Sequence, residues 1–374
     1  MVFLLIASFP ESLLHFRGPL LDALLRKGLT VHVAAPDLAE ESPLRLSLEA
    51  KGLVVHDIPL QRTGMNPMAD AKTLLHLWSL MRRVRPEIVL SYTIKPVIYS
   101  SLAAALARVP RRFALITGLG YAFQGEIDGP QKRRPLRALA QTLYKAALGR
   151  LHKVFFQNPD DQALFRSLGI LQPDTPSVVV NGSGVNVSEY LQTSLPPLPS
   201  FLLIARLLGD KGIREYAQAA LIVRASHPET KFRLVGWIDS NPNAIQQQEL
   251  DAWVADGTLE YLGRLSDVRP AISDSSVYVL PSYREGTPRT VLEAMAMGRA
   301  IVTTDAPGCR ETVTNGDNGF LVPVKGVKEL AAALLRFVEE PQLAEQMGKR
   351  SRQIAVEKYD VHQINAQMLK EMGL

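Results

Sequence analysis

Short apolar segments alternate with longer amphipathic segments along this chain, and the alternation is the strongest constraint on its fold. A continuous apolar run indicates a strand buried on both faces, and helices between such strands indicate parallel pairing. The first half contains predicted strands at 2–7, 30–35, 53–58, 88–91, 112–116, 153–157 and 178–180. A second set follows at 201–205, 231–235, 259–261, 277–280, 300–304 and 319–322. The sequence therefore predicts an α/β protein with two successive doubly wound parallel sheets.

A proline-rich segment, Leu195-Pro196-Pro197-Leu198-Pro199, separates the two sets of strands and has the composition of a linker. The 374 residues are enough for two domains of about 150 residues each. We assign residues 1–185 to a first Rossmann-like domain, 186–199 to a hinge and 200–356 to a second Rossmann-like domain. Residues 357–374 are assigned to a C-terminal helix. The helices predicted in the first domain lie at 19–27, 44–51, 68–84, 98–107 and 135–151.

Composition excludes several classes of protein. Hydrophobic residues make up 47% of the chain and charged residues 21%, which is typical of a globular protein and not of a disordered one. The single cysteine, Cys309, excludes an internal disulfide and a cysteine-based metal site, and we expect it to be a buried small residue. The first apolar run, 2–7, is much shorter than the roughly 20 residues of a membrane span. We therefore expect a cytoplasmic protein.

Charge is distributed unevenly between the two halves. Residues 1–198 contain 22 Lys and Arg against 15 Asp and Glu, a net of +7, whereas the rest has a net of −2. The excess is concentrated at 82–85, 108–112 and 132–137. The last cluster opens a helix with one apolar face, which fits either an anionic membrane surface or an ordinary packing helix with a solvated polar face. Nucleic acid is not an expected partner, because no binding motif accompanies the charge and aromatic residues are only 7% of the chain.

The segment 280–298 carries the most specific motif. A strand tail runs into a polar turn that contains Glu285, and the turn opens a short apolar helix that contains Glu293 and ends at Gly298. Pro288 stands where a helix tolerates a missing N–H. The start of such a helix favours a phosphate, and an ionised carboxylate accepts hydrogen bonds from sugar hydroxyls. The motif therefore suits a phosphorylated sugar.

A second motif, 204–213, follows the first strand of the second half. Arg206 and Lys211 come directly after that strand. A guanidinium group makes paired bonds to phosphate oxygens and an ammonium group acts as a point charge, so the two could clamp a diphosphate. The alternative is that both are surface cations after a strand.

These two motifs resemble those of retaining glycosyltransferases of family GT4, which carry a Glu-x7-Glu signature. The bare spacing is common, but here Pro-Ser precedes it, Glu-Gly-x-Pro forms the turn and Leu-Glu-Ala-Met-Ala-x-Gly follows. The alternative is a capped surface helix with two solvated carboxylates. The resemblance implies the GT-B fold, in which two Rossmann-like domains face a deep cleft. It also implies that the first domain binds the acceptor, the second binds the nucleotide sugar, and the C-terminal helix crosses back to the first.

The resemblance implies roles for the motif residues. Glu285, Arg206 and Lys211 would be catalytic, with Glu285 holding the donor sugar hydroxyls and the two cations neutralising the diphosphate, while Glu293 would hold the ribose. The other donor-binding residues expected are Gly286, Thr287, Pro288, Arg289, Gly236 and Arg264. No Asp-x-Asp motif stands in a donor-like loop, so we expect neither a catalytic metal nor a cofactor other than the nucleotide-sugar co-substrate.

The acceptor side is less well defined by the sequence. By resemblance, its candidate residues lie after three strands of the first half: His15, Arg17, Gly18, Tyr92, Lys95 and Gly118. Many GT4 proteins carry a histidine where Tyr92 and Lys95 stand here, so no histidine-based role is assigned at that position. The basic and apolar surface of the first half favours an acceptor on a polyprenyl diphosphate, and hence a peripheral position on the inner face of the cytoplasmic membrane.

We therefore expect a retaining glycosyltransferase that moves an N-acetylhexosamine or hexose from a UDP-sugar to a lipid-linked glycan acceptor in bacterial polysaccharide or glycan biosynthesis. Retention follows from the resemblance alone. A nucleotide-sugar epimerase with the same fold is an alternative, and it would convert a UDP-sugar without any acceptor. A non-catalytic sugar-nucleotide-binding module is another. A dinucleotide-dependent redox enzyme is disfavoured, because the loop after the first strand contains only Gly18 of the required glycine pattern.

Overall fold

A computed structural model of the chain describes residues 1–61, 66–118, 134–239, 241 and 243–374. These residues form two compact units, Met1–Ser183 with Ile364–Leu374, and Gly184–Gln363, called unit 1 and unit 2 here. Each unit contains one sheet whose paired strands are all parallel. The predicted α/β class with two doubly wound parallel sheets is therefore confirmed.

Unit 1 contains a seven-stranded sheet in the order β3-β2-β1-β4-β5-β6-β7. Its strands are β1 (Val2–Ile6), β2 (Thr30–Ala35), β3 (Val54–Asp57), β4 (Ile88–Tyr92), β5 (Arg111–Ile116), β6 (Lys153–Phe156) and β7 (Ser177–Val179). Leu5 and Leu90 face one apolar cluster, and Leu4 and Val89 face another on the opposite side of the sheet. Burial of each such side chain contributes about 1.5–3 kcal/mol, which explains why the strands are continuous apolar runs.

Helices lie between the strands of unit 1. They are α1 (Glu11–His15), α2 (Gly18–Arg26), α3 (Pro43–Ala50), α4 (Pro67–Val84), α5 (Ile94–Leu106), α6 (Arg134–Leu148) and α7 (Pro159–Ser167). Helix α5 starts at Ile94 and not at residue 98, because Pro96 lies in the first turn, where no N–H is needed for the helical ladder. Residues 119–133, which follow Gly118 and include the start of the basic cluster at 132–137, lie outside the described residues.

Unit 2 contains a six-stranded sheet in the order β10-β9-β8-β11-β12-β13. Its strands are β8 (Ser200–Ile204), β9 (Lys231–Val235), β10 (Glu260–Tyr261), β11 (Val277–Leu280), β12 (Ala300–Thr304) and β13 (Gly319–Val322). The remaining helices are α8 (Ile213–Ser226), α9 (Gln247–Ala255), α10 (Arg269–Ser273), α11 (Arg289–Ala296), α12 (Val327–Glu339), α13 (Gln342–Lys358) and α14 (Val361–Glu371). Leu330 and Leu334 of α12 pack into the same core as Phe201 and Val302 of the sheet.

The last helix continues from unit 2 into unit 1. Ile364, Met368, Leu369 and Met372 are buried in the apolar cluster that contains Leu5. None of the helices in the described ranges is both long and apolar enough to cross a bilayer. Cys309 is buried, as predicted, and burial raises the pKa of its thiol to about 12. It is therefore an inert core residue.

Candidate active site

Strand order reverses between β8 and β11 in unit 2, and a ligand crevice forms at the carboxyl ends of two such strands. Arg206 follows the end of β8, and the loop with Glu285 follows the end of β11. The Tyr278 hydroxyl of β11 donates to the Ile204 carbonyl at 3.0 Å, which links β11 to the end of β8. Parallel pairing therefore brings the two sequence motifs, far apart in the chain, to one edge of the sheet.

Lys211 and Glu285 meet at this edge. Lys211 Nζ lies 2.5 Å from Glu285 Oε1, and the two side chains are only 16% and 15% exposed. The Glu285 N–H donates to the Pro307 carbonyl at 2.9 Å, which fixes the loop that carries the carboxylate. The two shielded opposite charges satisfy each other, and each offers what a sugar diphosphate needs: a cation for phosphate and an acceptor for hydroxyls.

Two glycines allow the close approach of the loops around this ion pair. Gly308 has φ +81°, and a Cβ atom there would collide with the Glu285 carbonyl oxygen. Gly212 has φ +72°, and a Cβ atom there would collide with the Pro281 carbonyl. Any other residue would push the Glu285 loop or the Lys211 turn away. The sequence prediction missed Gly308, although a glycine after Pro307 was its one visible signal.

Glu293 lies inside α11 with its side chain 8% exposed. Arg289, one turn earlier, donates from Nε to Glu293 Oε1 at 2.8 Å, and the Tyr190 hydroxyl donates to the same oxygen at 3.1 Å. The other carboxylate oxygen, Glu293 Oε2, accepts no hydrogen bond from any residue that the structure describes. Burial and the Glu293 charge raise the pKa of Tyr190, so its phenol remains a donor. The two donors fix one carboxylate oxygen and leave the other available to a ligand.

Tyr190 is itself anchored to the helix that carries Glu293. Arg352 Nη1 donates to the Tyr190 carbonyl at 2.8 Å and to the Ala296 carbonyl of α11 at 2.6 Å. Arg299 is fully buried and donates to the Thr193 carbonyl at 2.9 Å, and burial lowers the pKa of its guanidinium to about 10. Sequence reasoning missed Tyr190, because an aromatic residue in the predicted hinge gives no local sign of its partner.

Arg206 and Gly236 lie at neighbouring strand ends. Arg206 Nη1 lies 2.9 Å from Asp239 Oδ2 in the loop after β9, so this cation also has a carboxylate partner. Gly236 has φ +153°, and a Cβ atom there would collide with the Ala205 carbonyl oxygen. The glycine therefore lets the loop after β9 pass directly over the end of β8.

Arg264 stacks on an aromatic residue that the sequence prediction missed. Its guanidinium carbon lies 4.6 Å from the ring centroid of Trp237, which is 37% exposed. The stacked pair forms a flat surface after β9 and β10, suited to contact with a planar group. Gly286 and Thr287 are buried in the loop before α11, and Pro288 is the residue that caps α11 rather than part of its first turn.

The equivalent edge of unit 1 lies between β1 and β4, where strand order also reverses. Thr93, directly after β4, has φ 70° and ψ 160°, a conformation that is nearly restricted to glycine. Its Oγ1 lies 2.7 Å from the Ser8 Oγ after β1. The predicted site did not include Thr93 or its contact with Ser8, because the presence of a threonine in a sequence does not reveal a strained backbone.

Two predicted acceptor residues come together at this edge. The Arg17 guanidinium carbon lies 5.1 Å from the Tyr92 ring centroid, and each residue is 3% exposed. The Tyr92 hydroxyl lies 2.7 Å from Ser12 Oγ, and burial raises the pKa of the phenol to about 12. Both side chains are therefore held rigidly inside unit 1.

The other predicted acceptor residues are more scattered. Lys95 pairs with Asp70 of α4, with 2.8 Å between Nζ and Oδ1. His15 is exposed at the end of α1, whereas Gly18 is buried at the start of α2. Gly118 follows β5 with φ +139°. Their roles stay predictions.

Known protein families match both halves of the chain. A family described as "Glycosyl transferases group 1" matches residues 199–340, and one described as "Glycosyl transferase 4-like" matches residues 4–158. Together the two matches cover both sheets and include the segments of both motifs.

Named relatives extend this likeness. The N,N'-diacetylbacillosaminyl-diphospho-undecaprenol alpha-1,3-N-acetylgalactosaminyltransferase of Campylobacter jejuni is 29% identical over 96% of this chain and 95% of its own. The UDP-Gal:alpha-D-GlcNAc-diphosphoundecaprenol alpha-1,3-galactosyltransferase of Escherichia coli is 25% identical over 76% of this chain and 75% of its own. Among solved structures, HepE of Anabaena in complex with UDP superimposes with a TM-score of 0.75 at 18% identity, covering 100% of both chains. That likeness shows a shared fold.

Proposed function

Because the chain belongs to the group 1, type 4-like glycosyltransferases with the GT-B fold, we propose that it transfers a sugar from a UDP-sugar to a glycan on a polyprenyl diphosphate. The family and the fold class predicted from the sequence are thus confirmed, and the protein is an enzyme of the glycosyltransferase type. The proposal concerns the donor, the acceptor, the stereochemistry and the roles of individual residues.

The contact between Lys211 and Glu285 is the observation that carries the donor assignment. At 2.5 Å and shielded from water, the pair is ready to exchange its internal contact for a diphosphate on Lys211 and sugar hydroxyls on Glu285. Arg206 would add a second cation to the diphosphate by leaving Asp239. Glu293 would take a ribose hydroxyl on Oε2, the oxygen left available by Tyr190 and Arg289.

The base would lie by the stacked pair of Trp237 and Arg264. A UDP donor is favoured because the galactosyltransferase relative is named for UDP-Gal and the HepE structure contains UDP. An aromatic surface of this kind binds a planar pyrimidine through stacking. The donor sugar is proposed only as a hexose or N-acetylhexosamine.

The chemistry follows from the charges. The bond between sugar C1 and the donor phosphate oxygen breaks, and the acceptor hydroxyl oxygen forms its bond to C1 on the same face, so configuration is retained. The acceptor proton passes to the departing phosphate oxygen. Negative charge develops on the diphosphate during this step, and Arg206 and Lys211 stabilise it there. Glu285 orients the sugar through its hydroxyls.

The acceptor assignment rests on the two relatives, both of which are named for sugars on diphospho-undecaprenol. A lipid-linked acceptor suits a protein whose residues 1–198 have a net charge of +7, since anionic membranes attract basic surfaces. We place the enzyme in the cytoplasm, peripherally on the inner face of the membrane. We also expect no metal requirement, so that EDTA leaves the rate unchanged.

One experiment tests this function. Nucleoside diphosphate release is measured across a panel of UDP- and GDP-sugars, with and without an undecaprenyl-diphosphate-linked sugar, for the wild type and Glu285→Ala. We expect release that depends on the acceptor, for a UDP-sugar and for the wild type only, and an axial product linkage from an axial donor by NMR. Isomerisation of the UDP-sugar without acceptor would indicate an epimerase, and donor binding without turnover would indicate a binding module. Either result contradicts the proposed transfer.

A further inference from the structure

A second basic site lies at the opposite edge of the unit 1 sheet. There α4 leads into β4 and α5 leads into β5, and the two junctions enclose an open cavity of about 320 Å³. Its charged lining residues are Arg82, Arg85, Arg108 and Glu87. Because the strands are parallel, the amino ends of β4 and β5 lie at the edge away from Tyr92. The cavity is therefore separate from the candidate acceptor residues.

The lining carries three guanidinium groups and one carboxylate. Within the described ranges of the chain, none of the three arginines makes an ion pair or donates a side-chain hydrogen bond. Glu87 is already engaged, since its Oε1 accepts the Val2 N–H at 3.2 Å. Many arginines elsewhere in the described ranges do have a partner, as Arg206 has Asp239 and Arg289 has Glu293. With three exposed guanidinium groups and one carboxylate, the lining has a formal net charge of +2 (three minus one), which an anion would balance.

The backbone gives an independent indication. Arg85 has φ 51° and ψ 55°, and Arg108 has φ 57°. Both lie in the left-handed region, where a side chain is unfavourable and helices usually end in glycine. Arg85 also precedes Pro86, which makes a helical conformation less favourable still. The chain thus has arginine at both junctions, where glycine would relieve strain, and both arginines line the same cavity.

We propose that this cavity binds a phosphate-bearing anion. The planar guanidinium fork matches the oxygen atoms of a phosphate. Three guanidinium groups around a cavity of about 320 Å³ suit a diphosphate or a phospholipid headgroup. Both sources share the phosphate chemistry. Binding here is independent of sugar transfer, because the cavity shares no residue with the donor or acceptor candidates.

A competing explanation is that these arginines only complement the negative ends of α4 and α5. The two explanations differ for the double variant Arg85→Gly/Arg108→Gly. Glycine relieves the same backbone strain under either explanation, so the melting temperature should stay equal or rise in both cases. If the arginines serve an anion, the variant also loses binding, and if they serve only the helices, there is no binding to remove.

The experiment measures pyrophosphate binding by calorimetry at low salt, and sedimentation with vesicles of phosphatidylglycerol or of phosphatidylcholine alone. The full-length wild type is compared with Arg85→Gly/Arg108→Gly and with Arg82→Gln, which leaves the backbone conformation alone. The control Arg26→Ala/Arg83→Ala removes two exposed charges of the same unit outside the cavity. We expect at least a tenfold weaker affinity in both cavity variants and less than a twofold change in the control.

The two arms identify the source of the phosphate. Loss of pyrophosphate binding in the cavity variants assigns a soluble phosphate compound, and loss of phosphatidylglycerol binding alone assigns a lipid headgroup; either supports the site. Equal losses in the control and the cavity variants, wild-type affinity in Arg82→Gln, or a wild type that binds neither pyrophosphate nor phosphatidylglycerol overturns it.

Discussion

Strand order reverses once in each sheet, but the side chains at the two reversal points make different kinds of contact. At the β8–β11 edge of unit 2, charged residues meet in ion pairs: Lys211 with Glu285, which is shielded from water, and Arg206 with Asp239, which is more exposed. At the β1–β4 edge of unit 1, the Thr93 hydroxyl contacts the Ser8 hydroxyl, and the Arg17 guanidinium lies over the Tyr92 ring. The first arrangement can exchange ion pairs for a charged ligand. The second is a rigid framework with less charge to offer.

In the proposed reaction, this difference assigns the stabilisation of the departing diphosphate to unit 2. A developing phosphate charge is stabilised by cations already placed at the site, and unit 2 has two of them with carboxylates in close contact. Among the described residues that follow β4 in unit 1, Lys95 pairs with Asp70. Loss of a cation in unit 2 should therefore reduce the rate more than any single change in unit 1.

The largest expected effect is from Lys211→Ala. We predict that kcat/KM falls by about 10²–10³, because one preorganised cation at a developing charge contributes roughly 3–4 kcal/mol. Nucleoside diphosphate release under steady-state conditions measures the change. Lys51→Ala removes an exposed lysine paired with Asp22 and should leave the rate within a factor of two. A loss of less than tenfold for Lys211→Ala would remove the proposed role of unit 2 in charge stabilisation.

A second prediction concerns the glycine beneath the Glu285 loop. Gly308→Ala should lower the free energy of unfolding by about 2 kcal/mol or more, because the added methyl combines a left-handed backbone with a collision against the Glu285 carbonyl. Gly316→Ala is the matched control: its φ is +83°, but no atom lies within 4 Å of the added Cβ. Urea unfolding compares the two. Equal losses of unfolding free energy in the two variants would mean that the Glu285 loop moves away from the added methyl at no cost.

A third prediction isolates the support of Glu293. Tyr190→Phe removes one hydrogen bond to a carboxylate, worth about 1.5 kcal/mol, and should raise KM for the donor roughly tenfold with kcat changed less than threefold. KM should change more than kcat because Glu293 would contact the ribose, which does not react. The control is Tyr216→Phe, whose hydroxyl donates to the Arg233 carbonyl away from the site. A fall in kcat at constant KM would instead place Tyr190 in the chemical step.

The smallest expected effect is in the framework of unit 1. Thr93→Ala keeps the strained backbone and loses the contact with Ser8, and should lower the free energy of unfolding by about 1 kcal/mol. Thr93→Gly loses the same contact but relieves strain of about 1–3 kcal/mol. It should therefore be the more stable of the two variants in thermal unfolding. If Thr93→Gly is the less stable, the left-handed conformation at this position is not a source of strain.

Both sheets could be predicted from the sequence because buried parallel strands are continuous apolar runs. The strand bounds at Thr30–Ala35 and Val277–Leu280 agree with the prediction to the residue. Helix α5 was predicted to start too late, because Pro96 resembles a breaker unless it is known to lie in the first turn.

The site could be predicted only in part. Arg206, Lys211, Glu285 and Glu293 stand in two contiguous motifs that the sequence singles out, and their roles stay predictions. The sequence does not show which residues contact them. The hydroxyl of Tyr190 lies 103 positions before Glu293, and the ion pair of Lys211 and Glu285 spans 74 positions. Such contacts are created by the parallel topology, which brings distant strand ends to one edge, and no local pattern records them.

The central claim is that the carboxyl edge of the unit 2 sheet holds the nucleoside diphosphate of the donor. Amide hydrogen exchange with and without saturating UDP tests it most directly, since a bound ligand suppresses local opening. We predict slower exchange in the segments 206–213 and 283–296, and a much smaller change at 8–18 and 91–97. The claim is contradicted if UDP protects the two unit 1 segments while exchange at 206–213 and 283–296 is unchanged.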